Sequence, residues 1–568
     1  MPTAADLQRQ LRSVRASFGA PAEAEKRRLL EALATRRLPR MSTLVGYHED
    51  LLFLVAFPGS IELRDAATAG LHAFRRRVRL LSAAQRDALS GSGLAGTVSC
   101  YAIAHPVAEV LVDEDPRAVE LDWSNVEDPV RLDELIARVL TDVERESFGG
   151  DLPSRRWVQD ARRSDASSTL QWLLRAGASA PAGRTQFSAA WDEACVPVRW
   201  KIGDSRRAVT HNRMSVPRPV LRTGFRKLTE PFDRHVMRPL PGIERLRREQ
   251  GLLVIDVARS ALAARCREVH AMNYANPEEV HLADLGEGVQ LAVIGVLPRH
   301  RLLLEANYGY LLLANGVPVG YGGVSPLYRQ ANTGINVFDP FRGSEAAFLW
   351  AQTLRAFRTL FGVRRFIVNG YQFGAGNSEA IASGAYWLYH RAGFRPSNDE
   401  NRRLAEAESA RLKREGGRSS PSTLKRLATG DLHLDLADWD DADAFDERAL
   451  ERIGTALARR LATVPVWSRP SASRVLSDEV KAMCAARPAG WRGPERDAFA
   501  RLAPLAGLLP GLASWPLKDR RSLGALLRAK GGVAERDYAQ RAADCPRFYR
   551  ELAGVLALAG SRKEHAAR

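Results

Sequence analysis

The stretch YGYLLLANGVPVGYGGVSPLY, residues 308–328, constrains the fold of this chain more than any other. Two apolar runs flank Asn315-Gly316. Asn-Gly between such runs is the strongest short hairpin signal, because a type I′ turn needs two positive φ angles. The residues around it add alternating elements. GLLVIDV (251–257) reads as a strand and ARSALAARCREVHAMNY (258–274) as a helix. VQLAVIGVL (289–297) reads as a strand, and TGINVFDPFRGSEAAFLWAQTLRAFRTLF (333–361) as a strand, a turn and a long amphipathic helix. RRFIVNGYQF (364–373) is again strand-like, SEAIASGAYWLYHRAG (378–393) helical, and a last strand starts at Phe394. This order predicts an α+β, α/β-like domain over residues 246–400, a mixed sheet with helices on both faces.

The flanks have a different texture. LQRQLRSVRASF, AEKRRLLEALATRRL and TAGLHAFRRRVRLLSAAQRDAL carry apolar residues at three-to-four spacing, so residues 1–245 read as mainly helical, with a strand at VSCYAIAH (98–105). Residues 401–568 return to helices, one opening on the acidic cluster DLADWDDAD, which suits a helix N-terminus. The run LLFLVAF (51–57) is far shorter than the ~20 residues a membrane span takes, and reads as core. The N-terminal residues lack the apolar stretch of a secretory signal.

The net charge of +17 admits an anionic partner such as nucleic acid. It equally reflects a coding sequence rich in Arg and Ala. The arginines are scattered, and no nucleic-acid-binding motif accompanies them. Five cysteines, Cys100, Cys195, Cys266, Cys484 and Cys545, form no CxxC pair. They predict neither metal site nor disulfide framework but small buried hydrophobes in a reducing, cytoplasmic setting.

The chemistry concentrates at Asp339-Pro340-Phe341-Arg342-Gly343-Ser344-Glu345-Ala346-Ala347. Gly343 removes bulk where the chain turns, and Ser344 is a good N-cap. The N–H groups of the first helical turn and the helix dipole make an anion site there. Arg342 adds a donor fork suited to phosphate. Downstream, Ala385, Leu388, Tyr389, Gly393 and Phe394 stand at the spacing of the closing motif of the GNAT acyltransferase superfamily, which residues 250–400 resemble. Gly393 fits the left-handed residue after a helix. Two positions depart from that pattern. Glu345 stands where the pyrophosphate loop expects glycine, so its side chain must point away. Ala382 stands where an Asn often opens the closing motif.

The resemblance implies an acyl-CoA-dependent N-acyltransferase, acetyl-CoA being the expected donor, with no metal and no covalent enzyme intermediate. Backbone amides of Gly343, Ser344, Glu345, Ala346 and Ala347, with Arg342, would hold the CoA pyrophosphate. An N–H near Val337 or Phe338 would stabilise the thioester oxyanion. Tyr389 stands at the position of the general acid. Glu305 or Asp339 would serve as base. The acceptor, a small-molecule or protein amine, would meet residues 274–285, where Glu278 and Glu279 either recognise a cation or merely start a helix. A tRNA-borne donor and a non-catalytic interaction scaffold are the alternatives.

Overall fold

The computed structural model describes residues 2–148, 153–163, 167–180, 183–343, 345–445 and 447–566. The protein is mixed α+β. Residues before 243 are mainly helical, around a small antiparallel sheet of β1 (Val98–Ala102), β2 (Val119–Leu121) and β3 (Pro197–Lys201), ordered β1-β3-β2. LLFLVAF lies at the end of the helix Met41–Ala56 and is buried throughout. The helix expected over 68–89 is instead three, Ile61–His72, Phe74–Arg79 and Ala83–Asp87.

The large sheet runs from β4 (Ile243–Arg245) through β5 (Ala275–Gly286), β6 (Val289–Val296), β7 (Tyr308–Ala314), β8 (Val317–Leu327) and β9 (Gln330–Thr333), each antiparallel to the next. A two-residue strand, β10 (Asn336–Val337), pairs only with β8. Then β11 (Arg365–Val368) lies parallel to β9. The far edge is β12 (Arg395–Pro396) and β13 (Leu432–Asp435), in the order β11-β13-β12. The sheet therefore takes strands from both sides of residues 246–400.

The Asn315-Gly316 hairpin forms as its chemistry requires, with φ of 45° and 79°. A Cβ on Gly316 would sit 2.3 Å from the Met214 carbonyl oxygen. Gly316→Ala is thus expected to cost about 1 kcal/mol or more, read as a lower urea midpoint.

Several expectations need correction. GLLVIDV is the first half of a helix, Arg248–Ala263, not a strand. Its Leu252 and Leu253 are exposed while Gly251, Val254, Ile255 and Ala258 are buried, a helical spacing hidden in an apolar run. Glu278 and Glu279, for which a helix start is one of the two readings, lie in β5 instead. Within it Glu279 is fully buried, accepting from the Tyr308 hydroxyl at 2.7 Å and facing Arg301 at 3.3 Å, and Glu278 pairs with Arg248. Glu279 is thus spent on partners inside the fold. RRFIVNGYQF yields only four strand residues before a 3-10 turn, Gly370–Phe373. The helix expected over 378–393 breaks at Gly384 (φ 68°) into Ser378–Ser383 and Tyr386–Arg391. Gly393 is left-handed, φ 93°. Cys195 is exposed rather than buried. The acidic cluster does not open a helix with its Asp443. That residue is buried and binds Tyr328, Arg329 and Arg550.

Helices cover both faces of the sheet. Tyr308 and Tyr310 share one face of β7 and pack on Phe361 and Phe357 of the helix Ala346–Phe361. Gly309, on the opposite face by strand alternation, meets Met272. Among the described residues no helix is long and apolar enough to cross a membrane.

Candidate functional site

Where β9 passes into β10 the sheet opens. β9 is paired on both sides, by β8 and β11. After Thr333 the ladder is interrupted at Gly334 and Ile335 and resumes in the same register, Thr333 opposite Val324 and Asn336 opposite Tyr321. β10 then keeps only β8, because β11 stops at Val368. Tight packing holds this interruption: the Tyr310 hydroxyl donates to the Gly334 carbonyl at 2.5 Å, and a Cβ on Gly334 would lie 2.5 Å from Gln372. The side of β10 turned away from β8 pairs with no strand, although side chains take two of its backbone groups, Tyr389 the Ile335 N–H and Arg342 the Val337 carbonyl. Phe338 N–H donates to Val319 O at 3.0 Å, toward β8, so it is spent in the ladder. By alternation Ile335 N–H and Val337 N–H point the other way, into the gap. Of the two N–H groups expected to hold an oxyanion, geometry leaves Val337 and removes Phe338.

Tyr389 closes the inner end of this gap. Its hydroxyl oxygen accepts from Ile335 N–H at 3.3 Å. The ring is buried among Trp350, Phe373 and Phe394, and burial pushes its pKa up to about 12. The hydroxyl therefore keeps its proton across the neutral range, as a general acid must.

The corner that follows departs from the expectation at two points, its N-cap and Arg342. Ser344 lies outside the described residues, and the N-cap of the helix Ala346–Phe361 is Glu345, with no side-chain cap. Glu345 does point away from the loop, and inward. It is 3% exposed, pairs with the equally buried Arg222 at 2.5 Å, and accepts from Arg226 N–H at 3.0 Å. Arg342 is not a free phosphate donor. It pairs with Asp339 at 2.8 Å and Glu379 at 2.6 Å, and its Nε donates to Val337 O at 3.2 Å. Gly343 turns with φ 82° into open space, and among the described residues no acceptor meets the N–H groups of Gly343, Ala346 and Ala347. These amides remain the anion-binding element of the corner.

Glu305 does not belong here. Its neighbour Ala306 bonds to Pro326 O, whereas the corner meets Val319 at the other end of β8. At about 3.3 Å per residue the two ends lie roughly 20 Å apart. Lys530 donates to the Glu305 carbonyl there, under the C-terminal helices. Asp339 is exposed at the corner, paired with Arg342.

Three contributors were missed. The N-terminal helices form one wall: Phe341 stacks on Phe53 at 6.3 Å, and Arg15 donates to Pro340 O at 2.8 Å. Arg265 lies 3.9 Å over the Phe338 ring, its pKa lowered to about 10 by burial and still cationic at neutral pH. Arg267 reaches Glu379 at 3.0 Å, so Glu379 bridges it to Arg342 across the mouth of the gap. No motif marks these residues. The apolar run 51–57, read as core, supplies Phe53 to that wall. A cavity of about 1,090 Å³ opens elsewhere, between the helix Ala20–Ala34 and the helices Ile61–His72 and Phe74–Arg79, and touches none of these groups.

No family model, no curated protein and no solved structure matches the chain.

Proposed function

We propose that this protein is an acyl-CoA-dependent N-acyltransferase of the GNAT type, with acetyl-CoA as donor and an amine as acceptor. The observation that carries the reading is the edge of β10 that no strand covers, which leaves Val337 N–H outside the ladder, with the Tyr389 hydroxyl at its inner end and, at its outer end, corner amides that meet no acceptor among the described residues. A pantetheine arm is a chain of amides and fits an unpaired strand edge, as an added strand does. Its pyrophosphate would lie on the amides of Gly343, Ala346 and Ala347.

The chemistry follows from these placements. The amine nitrogen attacks the thioester carbonyl carbon, and Val337 N–H stabilises the oxyanion. The C–S bond breaks, and the departing thiolate takes the Tyr389 proton. The amine proton passes to Asp339, directly or through water. Glu305 is too distant for that role.

The pairing of Arg342 with Asp339 and Glu379 favours a second reading, a non-catalytic scaffold whose phosphate-binding cation is already neutralised. Calorimetric titration separates the two. Acetyl-CoA is expected to bind in the range of about 1 μM to 1 mM, and Arg342→Glu to abolish that binding. Glu379→Gln, which releases Arg342 from one carboxylate, is expected to tighten it. A folded protein that binds neither acetyl-CoA nor CoA overturns the acetyl-CoA reading. Binding of a tRNA-borne donor that falls steeply with salt would then support the remaining transferase reading.

A further inference from the structure

A second cluster of chemistry lies away from the gap, where the N-terminal helices meet the ends of β5 and β6. The helices His105–Glu114 and Arg184–Glu193 and residues 297–300 enclose a cavity of about 60 Å³. At about 10–15 Å³ for each water-sized atom centre, it holds roughly four to six oxygens, the size of one tetrahedral oxyanion.

Its lining is charged. Arg184, Arg259 and Arg299 face it, against the single carboxylate of Glu109. Both histidines of the lining have their pKa lowered, His105 chiefly by burial, and His300, to about 4, by burial and the Arg299 cation, so the net lining charge is +2. The arginines are held in place rather than neutralised. Arg259 donates to the Met272 and Asn273 carbonyls at 2.8 and 2.5 Å. Arg299 donates to His300 Nε2 at 3.0 Å. Only Arg184 meets a carboxylate, Glu109, at 2.7 Å. Ser188, midway along the helix Arg184–Glu193, adds a hydroxyl that is paired with the Tyr274 hydroxyl at 3.2 Å.

One buried group has no partner among the described residues. His105 is 2% exposed, lines the cavity, and its Nε2 meets neither donor nor acceptor there. Glu109 stands 3.6 Å from Nδ1, beyond hydrogen-bond distance, and its charge favours the tautomer protonated there, in which Nε2 is an acceptor. A fitting ligand therefore carries about two negative charges, several acceptor oxygens, and one hydroxyl to donate to Nε2.

The geometry points to a binding site for hydrogen phosphate, the singly protonated dianion, seated among Arg184, Arg259 and Arg299 with its hydroxyl on His105. The site is independent of the acyltransferase reading. It joins the N-terminal helices to the central sheet, so its occupation ties the two together.

Calorimetric titration of the full chain with sodium phosphate, sodium sulfate and glycerol phosphate at pH 7.5 tests it, the pH being a choice near neutrality where the hydrogen phosphate dianion predominates. Saturable phosphate binding is expected, with sulfate, which has no hydroxyl, at least about tenfold weaker. Glycerol phosphate, doubly ionised at this pH, identifies the source. Weaker binding than phosphate means the free ion, whereas equal binding means an ester headgroup and overturns the role of the Nε2 acceptor. Arg299→Glu, on an exposed residue whose loss leaves the fold intact, is expected to abolish binding. Absence of phosphate heat from the folded chain, or unchanged binding by Arg299→Glu, overturns the proposal.

Discussion

The Tyr389→Phe variant is expected to bind acetyl-CoA as the parent chain does and to transfer the acyl group about 10²–10⁴-fold more slowly, the span of a lost general acid. The hydroxyl oxygen accepts from Ile335 N–H, so its own proton is directed elsewhere. The gap beside β10 is where a leaving thiolate would form. Removing the hydroxyl leaves Ile335 N–H buried and unpaired, which costs about 1–3 kcal/mol of stability. That is small enough for the variant to fold, and circular dichroism controls for it. Burial holds the Tyr389 pKa near 12, above the usual value of 10.0. The acid is thus protonated below that value, and the transfer rate should not fall through pH 10, where an exposed tyrosine would lose its proton. A rate that drops near pH 10, or a Phe variant of full activity, removes Tyr389 from the chemistry and leaves it a packed aromatic.

Glu345→Ala is expected to destabilise the protein by about 3–5 kcal/mol, because it strands the Arg222 guanidinium in the interior. Both side chains are fully buried and 2.5 Å apart. Arg222 also donates to Glu287 O at 2.7 Å and lies over the Phe57 ring at 5.4 Å, so it has no path to water. The pair fastens residues 222–226 across the start of the helix Ala346–Phe361, with Arg226 N–H on the same carboxylate. Replacing both charges together, Arg222→Met with Glu345→Leu, is expected to recover most of the loss, since paired buried charges exchange for apolar groups at little net cost. Urea unfolding of the two variants measures this. A loss under about 1 kcal/mol for Glu345→Ala would mean that the guanidinium reaches solvent and the clasp is not structural.

The pair also shows why part of the site could be read from the chain and part could not. That Glu345 must turn away from the loop follows from its place in the turn. Its destination does not, because Arg222 is 123 residues away. The freedom of Arg342 was overestimated for the same reason: Glu379, 37 residues on, occupies it. Glu305 looked close to the hairpin in sequence, but a strand carries its two ends apart, and β8 sets Glu305 at the wrong one.

What the sequence by itself determined is local. Asn315-Gly316 specifies its turn through φ angles that few other residues adopt. Gly393 ends a helix by the same property, and the buried positions Trp350, Ala351, Leu354, Phe357 and Phe361 mark one helix face. Each signal depends on neighbours within about one turn or one hairpin. Short apolar runs were the exception, since GLLVIDV satisfies strand and helix alike until packing chooses. Tertiary structure alone decided that β13 completes the sheet from residues 432–435, that Arg15 caps a carbonyl 325 residues away, and that β10 has a strand on one side only. Those outcomes depend on which surfaces meet when the cores close, and burial and charge pairing carry no record of sequence distance.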